Sequence, residues 1–181
     1  MRIAISGTHF SGKSTLISAL LKQLPNYTSV EEPYVLLEEQ GYEFSNPLSM
    51  DDFEQQFDCS IQSIEESRNN TLFDRCPLDS LAYSLSLDEP IDTKDWIQKM
   101  ENAIQLLDLI VFIPIENRDR IHVPASEDLE LRKNVDVRLH DMLLNDSLGI
   151  LKNIEILEVA GSIEKRVRMV IAKLEGASND T

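Results

Sequence analysis

Residues 1–15 read Met1-Arg-Ile-Ala-Ile-Ser-Gly-Thr-His-Phe-Ser-Gly-Lys-Ser-Thr15, and their reading decides that of the whole chain. Gly7, four spacers, Gly12, Lys13 and Ser14 fit G-x-x-x-x-G-K-[ST], the pattern of a phosphate-binding P-loop. Phosphate oxygens can be wrapped closely by a backbone only where no Cβ intrudes, and where φ can turn positive, which is why Gly7 and Gly12 stand where they do. Lys13 supplies a point charge for the β- and γ-phosphates and Ser14 a hydroxyl for Mg²⁺, while the following helix adds unsatisfied N–H groups and its dipole. The whole run Gly7, Thr8, His9, Phe10, Ser11, Gly12, Lys13, Ser14 and Thr15 is therefore the expected nucleotide cradle. At ordinary residue abundances such a match arises by chance in roughly one chain of this length in a few hundred.

Context strengthens it. Arg2 to Ser6 is a short apolar run suited to a buried strand, and Leu16, Ile17, Leu20, Leu21 and Leu24 recur at helical spacing until Pro25.

Downstream, Tyr27 to Val30 reads as a strand ending at Glu31-Glu32-Pro33, and Tyr34, Leu36 and Leu37 lead through Gly41 into a polar turn around Asn46-Pro47. Ser49 is the expected N-cap of a helix whose stripe Phe53, Phe57, Ile61 and Ile64 belongs to the core. Asn70 to Asp74 is a strand that delivers an aspartate at its carboxyl end, as a Walker B strand does, followed by Arg75 and by Pro77 at a helix start.

Leu78 to Leu87 and Lys94 to Leu107 are expected helices, and Asp108 to Ile113 is a buried parallel strand. Pro114 to Asp128 carries Arg118, Arg120 and His122 with little apolar periodicity, the composition of a mobile loop. Leu129 to Leu144 is helical and holds Arg132 and Arg138, Asn153 to Val159 is the fifth strand, and a last helix follows Ser162.

Strands alternating with helices predict a three-layer α/β P-loop NTPase fold, a five-stranded parallel sheet with helices on both faces and right-handed crossovers. Residues 1–175 are expected to form one domain with a lid segment near 114–132, and 176–181 a disordered tail.

The 181 residues suit a single core, with 42% hydrophobic and 27% charged side chains. The formal net charge of −15 disfavours a nucleic-acid polymer or an anionic membrane as partner. Cys59 and Cys76 lack metal-ligand spacing and read as free thiols of a reducing compartment. No apolar run reaches membrane-span length, and a chain that begins on a core strand is expected to lack a signal peptide, so the expected location is cytoplasmic.

The reaction is set by what surrounds the loop. No Asn-Lys-x-Asp or Asp-x-x-Gly element of a GTPase is present: Thr93-Lys94-Asp95-Trp96 ends in the wrong residue and follows no strand. A machine ATPase would place a glutamate beside its Walker B aspartate, where this chain has Arg75. A small-molecule kinase remains, with a nucleotide-dependent sensor or regulatory module as the rival from another class. Arginine suits the phosphoryl group in transit because its planar fork holds phosphate and never deprotonates. Arg75, Arg120, Arg132 and Arg138 are the candidates for that task.

The combination of Gly-Thr-His-Phe-Ser-Gly-Lys-Ser-Thr with Val-Glu-Glu-Pro-Tyr and Leu-Phe-Asp-Arg-Cys-Pro-Leu-Asp resembles the P-loop nucleoside and nucleotide kinases. More narrowly, it is similar to the AAA-domain family that includes the nicotinamide-riboside kinase part of bacterial NAD-biosynthesis regulators. The resemblance implies ATP with Mg²⁺, held by Ser14 and Asp74, and γ-phosphoryl transfer to a small nucleoside- or nucleotide-like acceptor. It implies Glu32 as the base near the acceptor hydroxyl, Asp74 and Arg75 as the Asp-Arg pair after the third strand, and Arg120 and Arg132 as lid arginines. Glu32 is chosen over Glu31 on the resemblance alone. The family's Asp-Gly-x-Arg lid pattern is replaced by Glu116-Asn117-Arg118-Asp119-Arg120, which leaves Arg118 and Arg120 as alternatives. The acceptor and any homo-oligomer are not specified.

Overall fold

In the strand Arg2–Ser6 (β1), Ile3, Ala4 and Ile5 are all completely buried, and alternate residues face opposite layers. Ile3 and Ile5 pack into one apolar cluster and Ala4 into the other. The computed structural model describes residues 1–87, 90–116 and 122–179.

Four more strands flank β1: Thr28–Val30 (β2), Thr71–Asp74 (β3), Leu109–Phe112 (β4) and Glu155–Glu158 (β5). All pairings are parallel, in the order β2-β3-β1-β4-β5. The central β3, β1 and β4 are apolar on both faces, as a sheet covered twice must be. Leu72, Leu109 and Val111 share a cluster with Ile3 and Ile5, whereas Phe73, Ile110 and Phe112 join Ala4.

Lys13–Leu21 (α1) and Ile163–Asn179 (α7) pack together on the first face. The second face is covered by Met50–Glu66 (α3), Pro77–Ser84 (α4), Thr93–Ile104 (α5) and Leu129–Leu144 (α6). In α3, Phe53, Phe57 and Ile64 are buried and Ile61 partly so, and Phe57 meets Trp96 of α5 at a ring-centroid distance of 4.2 Å. Truncating a fully buried phenylalanine such as Phe57 costs about 3–5 kcal/mol. Ser49 caps α3 in a reciprocal box with Asp52. Among the described residues, no helix is long and apolar enough to cross a membrane, and Cys59 and Cys76 are free.

The sheet thus has the expected five strands, and two differences concern helices. Tyr34 to Leu37 form no lead into a turn: Pro33–Glu39 (α2) is a helix, started by Pro33 at its first position after the extended Glu32. At seven residues it buries only Pro33 and Leu37, too little apolar surface for a periodic signal. At the other end, α7 continues through Gly176 to Asn179, beyond the domain end at 175 read from the sequence.

Candidate functional site: the P-loop between two cavities

Register brings the carboxyl ends of β1 and β3 side by side, with Ile5 opposite Asp74, and the loop Gly7 to Gly12 rises from that edge into α1. Its path requires the glycines. Gly7 has φ +151°, and a Cβ there would lie 2.7 Å from the Ile113 carbonyl oxygen and 2.9 Å from Ser11 Oγ. Gly12 is the left-handed N-cap residue of α1 at φ 95°. Phe10 also takes a positive φ, 54°.

The loop's carbonyls are turned towards cations. Lys13 Nζ donates to Thr8 O at 3.1 Å, Arg132 Nε to His9 O at 3.1 Å, Arg132 Nη2 to Phe10 O at 3.4 Å and Arg166 Nη1 to Ser11 O at 2.8 Å. Arg132 and Arg166 are only 4% and 6% exposed, so these guanidiniums clamp the loop from outside. Arg166 also meets Glu116 Oε1 at 2.8 Å, and the same oxygen accepts the Gly161 N–H at 2.9 Å.

The start of α1 differs from the other long helices. α3, α4, α5 and α6 begin under capping side chains that include Asp52, Asp79, Asp92 and Asp128. α1 has no side-chain cap and no acidic residue in its first turn. Its orphan N–H groups and positive dipole end are left for an anion.

Around this seat stand the ionisable groups expected from the sequence. Asp74 Oδ2 accepts from Ser14 Oγ at 2.7 Å, while its buried Oδ1 has no hydrogen-bond partner among the described residues. Burial raises the Asp74 pKa, opposed by Lys13 and by the Ser14 hydrogen bond. Lys13 is 5% exposed, and burial, helped by nearby Arg75, lowers its pKa from 10.5 to about 8.

Arg75 adopts φ 81° at the end of β3, a costly backbone for a non-glycine residue that its partners hold in place. Its Nε donates to Glu32 Oε2 at 2.9 Å and its Nη1 to Gly7 O at 3.4 Å, with Asp79 Oδ1 at 3.8 Å. Burial alone would raise Glu32, but the Arg75 charge and hydrogen bond outweigh it and hold the carboxyl below its usual range. Glu31 is exposed and points to a minor recess beside Ser60 and Ser63, so Glu32 is the one that faces the cleft.

Two cavities open on either side of the loop. The larger, of about 690 Å³, is lined by His9, Glu32, Arg75, Phe53, Gln56 and Tyr83, among others, and by Glu127 to Leu131 at the start of α6. The smaller, of about 310 Å³, lies between Phe10 to Gly12, Pro114 to Glu116 and Gly161 to Arg166. Arg132 borders the smaller one, and Arg138 lines neither, donating instead to Ser86 Oγ at 3.2 Å. Arg118 and Arg120 lie outside the described residues.

Three participants were given no role from the sequence. Asp79, fully buried in α4, accepts the Gly7 N–H at 3.0 Å and the Cys76 N–H at 2.9 Å, so one carboxylate fixes both the loop and the helix. Tyr83 joins the loop to the larger cavity: its hydroxyl accepts the His9 N–H at 2.9 Å, and its ring stacks on Phe53 and lies 5.1 Å from the Arg75 guanidinium. Burial, with Arg75, Arg132 and Lys13 nearby, lowers the His9 pKa to about 4, so its ring is neutral. The phenol then donates to His9 Nδ1 at 2.7 Å, leaving the ring proton on Nε2, 3.6 Å from Glu127 Oε2. Arg166 is the third.

Comparison with known proteins agrees with this geometry. Residues 2–166 match the family described as AAA domain, and the chain belongs to that family. Among solved structures, the deoxyadenosine kinase from M. mycoides with bound dATP superposes with a TM-score of 0.68 at 17% identity, covering 97% of this chain and 99% of that one. Thymidylate kinase from Candida albicans gives 0.64 at 18%, covering 99% and 93%, and shikimate kinase from Aquifex aeolicus 0.56 at 19%, covering 100% of both. These likenesses establish a P-loop kinase-like fold. No curated protein sequence matches.

Proposed function

We propose that this protein is an ATP-dependent small-molecule kinase that transfers the γ-phosphoryl group of ATP to a nucleoside- or nucleotide-like acceptor. The observation that carries this reading is the P-loop set between two cavities. Phe10, Ser11 and Gly12 border the smaller, which suits the donor's base, and His9 borders the larger, which holds the Glu32–Arg75 pair and suits an acceptor. The solved structures of similar fold named above, kinases for deoxyadenosine, thymidylate and shikimate, support the same class.

In the proposed reaction the triphosphate lies along Gly7 to Thr15, its negative charge met by the start of α1 and by Lys13. Lys13 exchanges its bond to Thr8 O for phosphate oxygens. An acceptor hydroxyl hydrogen-bonded to Glu32 attacks the γ-phosphorus. A new P–O bond forms, the bond from that phosphorus to the bridging oxygen breaks, and its electron pair leaves with ADP. The hydroxyl proton passes to Glu32, which Arg75 keeps ionised beforehand. In this reading Arg75 offsets charge on the group in flight, and Arg132 joins it by exchanging its bonds to the His9 and Phe10 carbonyls for phosphate oxygens.

The residues present fit a magnesium ion: Asp74 Oδ1 is buried and unpartnered beside the Ser14 hydroxyl, and hard oxygens are the donors such a cation takes. Ser14 and Asp74 would hold it, and when bound it neutralises phosphate charge. Among the described residues no group of three or more His, Cys, Asp or Glu could form an all-protein cage, as suits an ion shared with phosphates and water.

ADP release measured with Mg·ATP and a panel of nucleosides, deoxynucleosides and monophosphates, offered one at a time, tests the proposal. Acceptor-stimulated release supports it. Tight ATP binding with no acceptor response identifies a nucleotide-dependent regulatory module instead.

A further inference from the structure

From the charge and hydrogen bonding of the larger cavity, we infer that the acceptor is an unphosphorylated hydroxyl compound, a nucleoside rather than a nucleoside monophosphate. This rests on the kinase reading and narrows it.

Four carboxylates line that cavity, Glu32, Glu127, Asp128 and Glu130, and Arg75 is the one lysine or arginine among the described lining residues. The arginine is already engaged: Nε with Glu32, Nη1 with the Gly7 carbonyl, and Asp79 at 3.8 Å. A phosphate dianion seated there would have to break the Glu32 contact and then lie against the carboxylate it displaced. His9, the other basic side chain among the described wall residues, is neutral and its Nδ1 is held by Tyr83.

The starts of α3, α4 and α6, the usual kind of alternative seat for phosphate, are closed as well, and the short α2, which has no side-chain cap, begins at the Glu32 carboxylate itself. Asp128 Oδ1 accepts the N–H groups of Glu130 and Leu131, at 3.0 and 2.9 Å, and so occupies the N-terminus of α6 with its own carboxylate. Asp79 does the same for α4, accepting the Cys76 N–H, and Ser49 with Asp52 for α3. Anion capacity is concentrated instead on the other side of the loop, at the uncapped start of α1. Among the described residues, the donor's phosphates have a cationic seat and the acceptor an anionic chamber.

An alcohol suits that chamber. Beside the Glu32–Arg75 pair it donates its proton to Glu32 Oε1, the carboxylate oxygen that Arg75 does not hold, and so leaves the ion pair intact and no charge unmatched. Phe53 and Tyr83, stacked with ring centroids 5.6 Å apart, offer an aromatic wall for a flat base.

The test compares each nucleoside with its own monophosphate as acceptor in the Mg·ATP assay. At least one nucleoside should stimulate ADP release, and its monophosphate should be about tenfold or more poorer at the same concentration. A monophosphate that is the better acceptor overturns the inference and leaves the kinase reading standing. Failure of every compound to stimulate release overturns both. A second arm reads the charge directly through monophosphate inhibition of the nucleoside reaction. The double variant Glu127→Gln/Glu130→Gln should tighten that inhibition about tenfold relative to the nucleoside KM measured in the same variant. Glu130→Gln alone, on an exposed side chain, should shift it in the same direction by less. Unchanged inhibition in both variants overturns the electrostatic basis of the inference.

Discussion

Replacing Lys13 by methionine should make the nucleotide-free protein more stable while abolishing its use of ATP. Burial, with Arg75 adding repulsion, lowers the Lys13 pKa from 10.5 to about 8, and at 5% exposure solvent screens little of this. An interval of that size corresponds to about 3 kcal/mol that the folded chain bears when the amine is protonated. Methionine removes the charge at similar volume but loses the bond to Thr8 O, worth about 1 kcal/mol. The net expectation near neutral pH is a gain of about 2 kcal/mol, or several degrees in Tm.

The sign of the pH dependence follows from the direction of the shift. Between about pH 8 and pH 10.5 the unfolded chain binds the proton that the folded wild type has released, so wild-type stability rises with pH relative to the variant. The gap should therefore narrow by about 2 kcal/mol between pH 7 and pH 9.5. Urea denaturation of both proteins at those two pH values, without nucleotide, measures it. A methionine variant less stable than wild type at neutral pH, or a gap that does not change with pH, would refute the reasoning.

Gly7→Ala places a Cβ 2.7 Å from the Ile113 carbonyl oxygen at φ +151°, and thermal unfolding should show a loss of at least about 2 kcal/mol; an unchanged Tm would contradict the reading of the turn. Arg75→Met removes the cation that holds Glu32 below its usual pKa, so stability near neutral pH should fall by about 2 kcal/mol. Because the Glu32 contribution is present above the usual carboxylate pKa and lost as pH falls, the two proteins should converge in acid, and parallel urea curves at all pH values would count against it. Arg132→Ala should lower kcat by a larger factor than it weakens ATP binding, since the contact is asked of the transferring group; equal losses would mark it as an ordinary binding contact.

The P-loop was legible because close approach to phosphate forces glycine, lysine and serine into fixed positions of a single local segment. The central strands β1, β3 and β4 were legible from short apolar runs, and Asp74 and Arg75 could be placed because a strand end carries its next residues to the sheet's carboxyl edge. Strand order was not, because β3 inserts between β2 and β1 through contacts 40 or more residues apart, such as Thr28 with Thr71. The choice between Glu31 and Glu32 depended on one peptide's rotation, which the exposure of Glu31 and the Arg75–Glu32 contact at 2.9 Å reveal. Asp79, Tyr83 and Arg166 stayed hidden for a related reason. Each reaches the loop from a helix 70 or more residues away in the chain, where an aspartate after a proline reads as a cap, a tyrosine as core and an arginine as surface. Asp79 is in fact both cap and loop anchor.

The most direct test is a crystal structure with a non-hydrolysable ATP analogue, magnesium and a nucleoside that stimulates ADP release. The phosphates should lie on Gly7 to Thr15 with Lys13 Nζ moved from Thr8 O to phosphate oxygen, the base in the cavity beside Gly161 to Arg166, and the nucleoside hydroxyl on the Glu32 carboxylate, facing the γ-phosphorus. A triphosphate bound away from the loop, or a nucleoside on the opposite side of the sheet from Glu32, would contradict it.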